Sequence, residues 1–261
     1  METTKNKTTL LIMAAGMGSR FGSLKQLALL GPHKKTLLHY SIYDAVHAGF
    51  DKIVFIIRRS FENEFKEAVG KYAESLVETV YCFQEMDQLP GNLPPIQREK
   101  PWGTAHAIWA AKDHIHEPFI AINADDFYGR DAFVKMHDFV ASNTDERCFS
   151  LAGYRLAATL SENGTVSRGI CTVDGDNFSP MLFEEIEKQF IEFYHKNSEN
   201  PKAEIYIPVV VDELIKQKAV KVKVLNTSAQ WFGVTYKEDT ELVNNALQKF
   251  DGEGLYTDMG Q

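Results

Sequence analysis

The chain has 261 residues, 44% of them hydrophobic, with a net charge of -8 and a pI near 5.5. It is long enough for one large α/β domain or two small ones, and its acidic balance argues against general binding to nucleic acid or an anionic membrane. Cys82, Cys148 and Cys171 are odd in number and far apart, without C-x-x-C, so they read as free thiols in a reducing, cytoplasmic setting.

The N-terminal METTKNK is polar and unlike a signal peptide, and the apolar run behind it is far shorter than a membrane span. Thr8 to Ala14 reads as a strand buried on both faces, followed by "AGMGSRFGSLKQ" with Gly16, Gly18 and Gly22. Glycines at the carboxyl end of a central strand let backbone N–H groups converge on an anion, and Arg20 and Lys25 add charge there. A tight connection is the plain alternative. The dinucleotide fingerprint does not fit, because Phe21 stands where the third glycine belongs, and the P-loop ending is absent.

Thr36 is placed to cap a helix over Leu37 to Ala48 that stops at Gly49, and "DKIVFIIR" follows as a second buried strand. Phe61 to Val69 reads as helix, "ETVYCFQ" as a third strand, and the proline-rich stretch from Pro90 to Pro101 as a long loop. The helix "GTAHAIWAAKDHI" leads into the strand "PFIAINADDFYG". Later strands are predicted at Cys148 to Arg155, Gly169 to Val173 and Val220 to Leu225. Helices are predicted near Ser179 to His195, Ile205 to Lys218 and Asp239 to Phe250. Alternating strands and helices predict a mostly parallel sheet with helices on both faces. With no repeat or clear linker, one domain is the simplest organisation.

Asp125 and Asp126 follow a strand predicted to run parallel to the first. They either begin a turn or cap the next helix, or they face phosphates from the glycine-loop edge and anchor Mg²⁺. Gly103 and Thr104 open a helix whose N–H groups are placed to meet a ligand, while Trp102, Ile108 and Trp109 read as core. His106 reads as a structural histidine, and neither a zinc pattern nor a G-x-S-x-G elbow is present.

Taken in order, "LIMAAGMGSRFGSLKQ", "GTAHA" and "NADDFYG" resemble the nucleotidyltransferase superfamily of sugar-1-phosphate pyrophosphorylases, over about residues 8 to 245. The resemblance implies a mixed, mostly parallel sheet like that of dinucleotide-binding folds. It also implies transfer of a nucleoside monophosphate from a triphosphate to a sugar 1-phosphate, with release of pyrophosphate and dependence on Mg²⁺. It divides the domain into a nucleotide-binding part at about 8–140, an acceptor part at about 145–235 and a C-terminal helix at about 239–250.

By position, Ala14, Ala15, Gly16, Met17, Gly18, Ser19 and Arg20 match the loop around the triphosphate, with Arg20 and Lys25 as its catalytic cations. Gln84 matches a glutamine that reads a pyrimidine, favouring UTP or dTTP. Gly103 and Thr104 match a second nucleotide-contacting turn, Asp125 the metal ligand, and Gly169 and Glu204 the acceptor site. Two departures stand out: Gly233 occupies the place of a second metal aspartate, and part of the acceptor-site sheet is missing around Asn177 to Ser179. The alternatives are transfer to phosphocholine or the molybdenum cofactor, and a noncatalytic nucleotide-sensing subunit.

Overall fold

The computed structural model describes residues 7–16, 29–145, 147–155, 159, 182–233 and 239–259. Strands β1 (Thr9–Met13), β2 (Lys52–Ile57), β3 (Glu78–Phe83) and β4 (Phe119–Asn123) form a sheet in the order β3-β2-β1-β4, with every pair parallel. The period-2 alternation of strand side chains explains how one sheet serves two cores. Leu10, Ile12, Ile53, Phe55, Ile57, Ile120 and Ile122 face one layer, and Leu11, Val54, Ile56 and Cys82 face the other.

The first layer contains α1 (Leu37–Ala48) and α5 (Arg130–Ser142), together with a helical segment between β2 and β3. The predicted signals at both ends of α1 operate: the Thr36 hydroxyl accepts the His39 N–H at 3.4 Å, and Gly49 turns left-handed at φ 111°. The second layer holds α4 (Thr104–Trp109), α6 (Leu182–Asn197) and α7 (Ile207–Lys216). Trp102, fully buried there, meets the Phe190 ring edge-on at 5.1 Å and carries the Arg98 guanidinium on its ring at 3.6 Å.

Two further strand pairs stand apart from the four-stranded sheet. β5 (Asp126–Phe127) runs antiparallel to β8 (Phe232–Gly233), and β6 (Cys148–Gly153) runs parallel to β7 (Lys221–Asn226). Helix α8 (Asp239–Gly252) packs Val243 and Leu247 with Tyr40, Tyr43 and Tyr256 in a third apolar cluster. Beneath it the buried Asp44 carboxylate accepts from Arg130 Nε at 2.9 Å and Tyr256 OH at 2.8 Å, so this buried charge is paired.

Three local expectations change. The helix expected over "GTAHAIWAAKDHI" ends at Trp109, because the bonds Ala111 N to Ile108 O, Lys112 N to Trp109 O and His114 N to Ala111 O tighten the continuation into i→i+3 turns. The helix expected from Phe61 to Val69 is a composite: a 3₁₀ turn at Arg59–Phe61, α2 (Glu62–Phe65), a π turn at Lys66–Gly70 and α3 (Lys71–Glu74). The strand expected to end in the two aspartates of "PFIAINADDFYG" stops at Asn123, just before them, and Asp126 and Phe127 form a separate short strand that pairs with β8. The strand predicted at Gly169 to Val173 and the junction at Asn177 to Ser179 lie outside the described residues.

Candidate active site

Because the four strands are parallel, their carboxyl ends share one edge. Three residues carry the ladder a step beyond the strands. Ala14 N–H donates to Ile56 O at 2.8 Å, Ala124 N–H to Met13 O at 3.3 Å, and Gln84 N–H to Ile57 O at 2.9 Å. The start of the glycine loop, Gln84 and the Asp125 turn therefore leave the sheet on the same side. Ala14 and Ala15 are buried and Gly16 is exposed, so the chain passes from core to surface within three residues. Met17, Gly18, Ser19, Arg20, Lys25 and Gly169 lie outside the described residues.

Gln84 sits in a corner where its amide donors are engaged. Its Nε2 donates to Gly103 O at 3.0 Å and to His106 Nδ1 at 3.3 Å, and His106 Nε2 donates to Gln88 O at 2.8 Å. The His106 ring is stacked on Trp109 at 5.7 Å and lies 5.3 Å from Phe190. Burial pushes its pKa down to about 4, with Arg98 adding to the effect against the Gln88 bond, so the imidazole is neutral at pH 7. The structural reading of His106 holds, and it acquires a specific partner that the sequence did not disclose: 22 residues separate it from Gln84.

The Gly103–Thr104 turn is built against a distant segment. Gly103 has φ 99°, and a Cβ there would lie 2.9 Å from Ile205 N and closer still to Ile205 O. Ile205 N–H donates to Trp102 O at 2.8 Å, and Ile205 O accepts from Ala105 N–H at 3.2 Å. Thr104 Oγ1 accepts the Ile207 N–H at 3.0 Å, which supplies the first turn of α7 with a side-chain partner. One N–H of this helix start, that of Ala105, is thus engaged within the protein, as is the Thr104 hydroxyl. Glu204 adjoins this turn, with its carboxylate held by Lys100 Nζ at 3.2 Å and Tyr206 OH at 3.1 Å. It is brought to the same neighbourhood as Gly103, across more than 100 residues of sequence.

The acid corner is built differently. Asp125 is exposed in the turn after β4, and helix α5 takes Gly129 as its N-cap without a side-chain bond, so neither aspartate caps it. Asp126 Oδ2 accepts from Asn123 Nδ2 at 3.0 Å and Tyr128 OH at 3.2 Å. Asp126 pairs directly with Gly233, and a Cβ on Gly233 would lie 3.1 Å from Asp126 Oδ1 and 2.6 Å from the Trp231 ring. The place of the second aspartate is thus flanked by an existing carboxylate and an indole.

Burial and then the Asp126 charge, with a smaller contribution from Asp125, push the Tyr128 hydroxyl well above its ordinary range, and burial with Asp126 and Asp131 does the same to Tyr154. Burial is the larger cause of both shifts, and the carboxylates of Asp126, Asp125 and Asp131 add to it. Among the described residues, no group of three or more His, Cys, Asp or Glu is arranged to hold a metal ion. One or two carboxylates completed by substrate phosphates and water is the usual shell for Mg²⁺, and Asp125 and Asp126 fit that mode. Cys82 is no competing nucleophile: burial raises its thiol to about 11.

The chain is 28% identical over 130 residues to the UTP–glucose-1-phosphate uridylyltransferase of Bacillus subtilis (strain 168). That stretch covers 44% of this chain and 43% of the curated relative's length. Its fold matches the inositol-1-phosphate CTP transferase from T. maritima with a TM-score of 0.58 at 12% identity, covering 95% of this chain and 98% of that one. A UDP-glucose pyrophosphorylase complexed with UDP-glucose matches with a TM-score of 0.54 at 19% identity, over 93% and 99% of the two chains. The nucleotidyl transferase family model matches residues 9–175, which take in the four-stranded sheet, Gln84, Gly103 and the Asp125 turn, and the chain belongs to that family.

Proposed function

We propose that this protein transfers a nucleoside monophosphate from UTP or dTTP to a sugar 1-phosphate and releases pyrophosphate. The observation that carries this reading is the shared sheet edge, where the glycine-loop entry at Ala14, the Gln84 corner and the Asp125 turn emerge from parallel strands of one sheet. The uridylyltransferase similarity supports the sugar 1-phosphate acceptor.

In this reading Ala14 to Arg20 wrap the triphosphate, Gln84 meets the base beside Gly103, and Gly169 and Glu204 face the acceptor. An acceptor phosphate oxygen attacks the α-phosphorus in line, the bond to the bridging oxygen breaks, and that oxygen leaves on pyrophosphate. Arg20 and Lys25 offset the charge gathering on the phosphoryl oxygens, and catalysis is positioning and electrostatics without a covalent enzyme intermediate. Asp125, with Asp126 beside it, holds Mg²⁺, which when bound supplies Lewis-acid stabilisation of the phosphate oxygens.

A pyrophosphate-release screen over UTP, dTTP, CTP, ATP and GTP, each with hexose 1-phosphates and with inositol 1-phosphate, tests the assignment. Release confined to UTP or dTTP with a hexose 1-phosphate is expected. Release with CTP and inositol 1-phosphate alone would move the protein to the chemistry named for its T. maritima structural neighbour.

A further inference from the structure

The Gln84 amide has two donor hydrogens, and both meet acceptors: the Gly103 carbonyl at 3.0 Å and His106 Nδ1 at 3.3 Å. His106 Nδ1 is an acceptor because a neutral imidazole carries one proton, and Nε2 needs it to donate to the Gln88 carbonyl at 2.8 Å. Turning the Gln84 amide over would set its oxygen against the Gly103 oxygen and the His106 lone pair, three acceptors with no proton among them. The ring that imposes this is itself locked between Trp109 and Phe190. Gln84 is thus left with its carbonyl oxygen, which has no partner among the described residues.

We infer that His106 is a positioning residue that fixes Gln84 to present only a hydrogen-bond acceptor, so that the site selects a base offering an N–H at that point, as uracil and thymine do through N3–H. Cytosine carries a bare lone pair at N3, so it would bring acceptor against acceptor. This inference rests on the reading that Gln84 meets the nucleobase. It makes the choice between uridine and cytidine nucleotides depend on a histidine that touches no substrate.

Equilibrium titration of the full chain with UTP and with CTP, in the presence of Mg²⁺, tests this in the wild type and in Gln84→Ala, His106→Leu and His106→Asn. The wild type is expected to prefer UTP by about tenfold or more, the scale of one hydrogen bond made or left unmade. Gln84→Ala is expected to erase that preference, His106→Leu to reduce it because only the Gly103 carbonyl then orients the amide, and His106→Asn, which restores an acceptor oxygen, to recover part of it. A preference lost in Gln84→Ala but intact in His106→Leu overturns the inference and leaves the base-reading role of Gln84 standing. A preference that survives Gln84→Ala, or the absence of nucleotide binding in the wild type, overturns that role and the inference with it. Should His106→Leu fail to fold, ¹⁵N NMR of the wild-type imidazole decides: a proton on Nε2 is expected, and a proton on Nδ1 overturns the inference.

Discussion

The two corners of the candidate site are built on opposite principles. Around Gln84 every donor of the Gln84 amide and the His106 ring is engaged, and the Ile205 backbone closes against Gly103. Around Asp125 the carboxylate is exposed, and the neighbouring strand presents Gly233 where a further side chain would crowd Asp126. A base is recognised by shape and hydrogen bonds, which reward a rigid, dry surface, whereas phosphates and their cation need accessible charge. The closed corner should therefore respond to substitution in stability and base preference, and the open corner in turnover.

The largest expected effect is at the open corner. Asp125→Ala should lower turnover by about a hundredfold or more, the scale of losing one electrostatic stabiliser, while the fold survives. Raising Mg²⁺ should rescue it partly and should not rescue Lys25→Ala, as steady-state rates against metal concentration will show. A variant with near-normal turnover would place the metal elsewhere.

At the closed corner, Gly103→Ala combines an unfavourable φ with a collision against Ile205 backbone. Chemical denaturation should show a loss of about 2–3 kcal/mol, the usual consequence of strain at such a site. Thr104→Val removes the acceptor for Ile207 N–H and should cost about 1 kcal/mol in the same measurement, with little change in turnover on saturating substrate.

The smallest effect is the dependence of stability on pH. Burial lowers His106, and burial with Lys35 lowers His39, each to about 4 from the ordinary 6.5. The unfolded chain therefore takes up these protons first, and the stability held by two neutral imidazoles is complete above pH 6.5 and lost as pH falls toward 4. Asp44 opposes this: burial, outweighing Arg130, raises it to about 6, so its contribution falls as pH rises from 3.8 to 6. Thermal melts between pH 7 and 5 should show a falling midpoint, and Asp44→Asn should make the fall steeper.

Short-range chemistry made much of this legible in the sequence. Thr36 and Gly49 bracket α1 as their side-chain oxygen and left-handed turn predict, and the apolar runs of β1, β2 and β4 form a parallel sheet with a common carboxyl edge. Features that depend on distant packing were not legible. Ile205 meets Gly103 and Lys100 meets Glu204 across about a hundred residues, with no local pattern to announce either contact. The two-residue ladder of Asp126 and Gly233 is too short to leave a periodic signal. Helix α4 stops where alanines favour continuation, because Ala111 and Ile115 turn into the second core.

Phosphorus-31 NMR of the full chain with UTP, a hexose 1-phosphate and Mg²⁺ tests the central claim most directly. The account predicts a nucleoside-diphosphate sugar and pyrophosphate appearing in equal amounts as the triphosphate and the sugar phosphate disappear together. Triphosphate that persists unchanged beside every hexose 1-phosphate offered, or that breaks down to monophosphate and pyrophosphate with the sugar phosphate untouched, would contradict it.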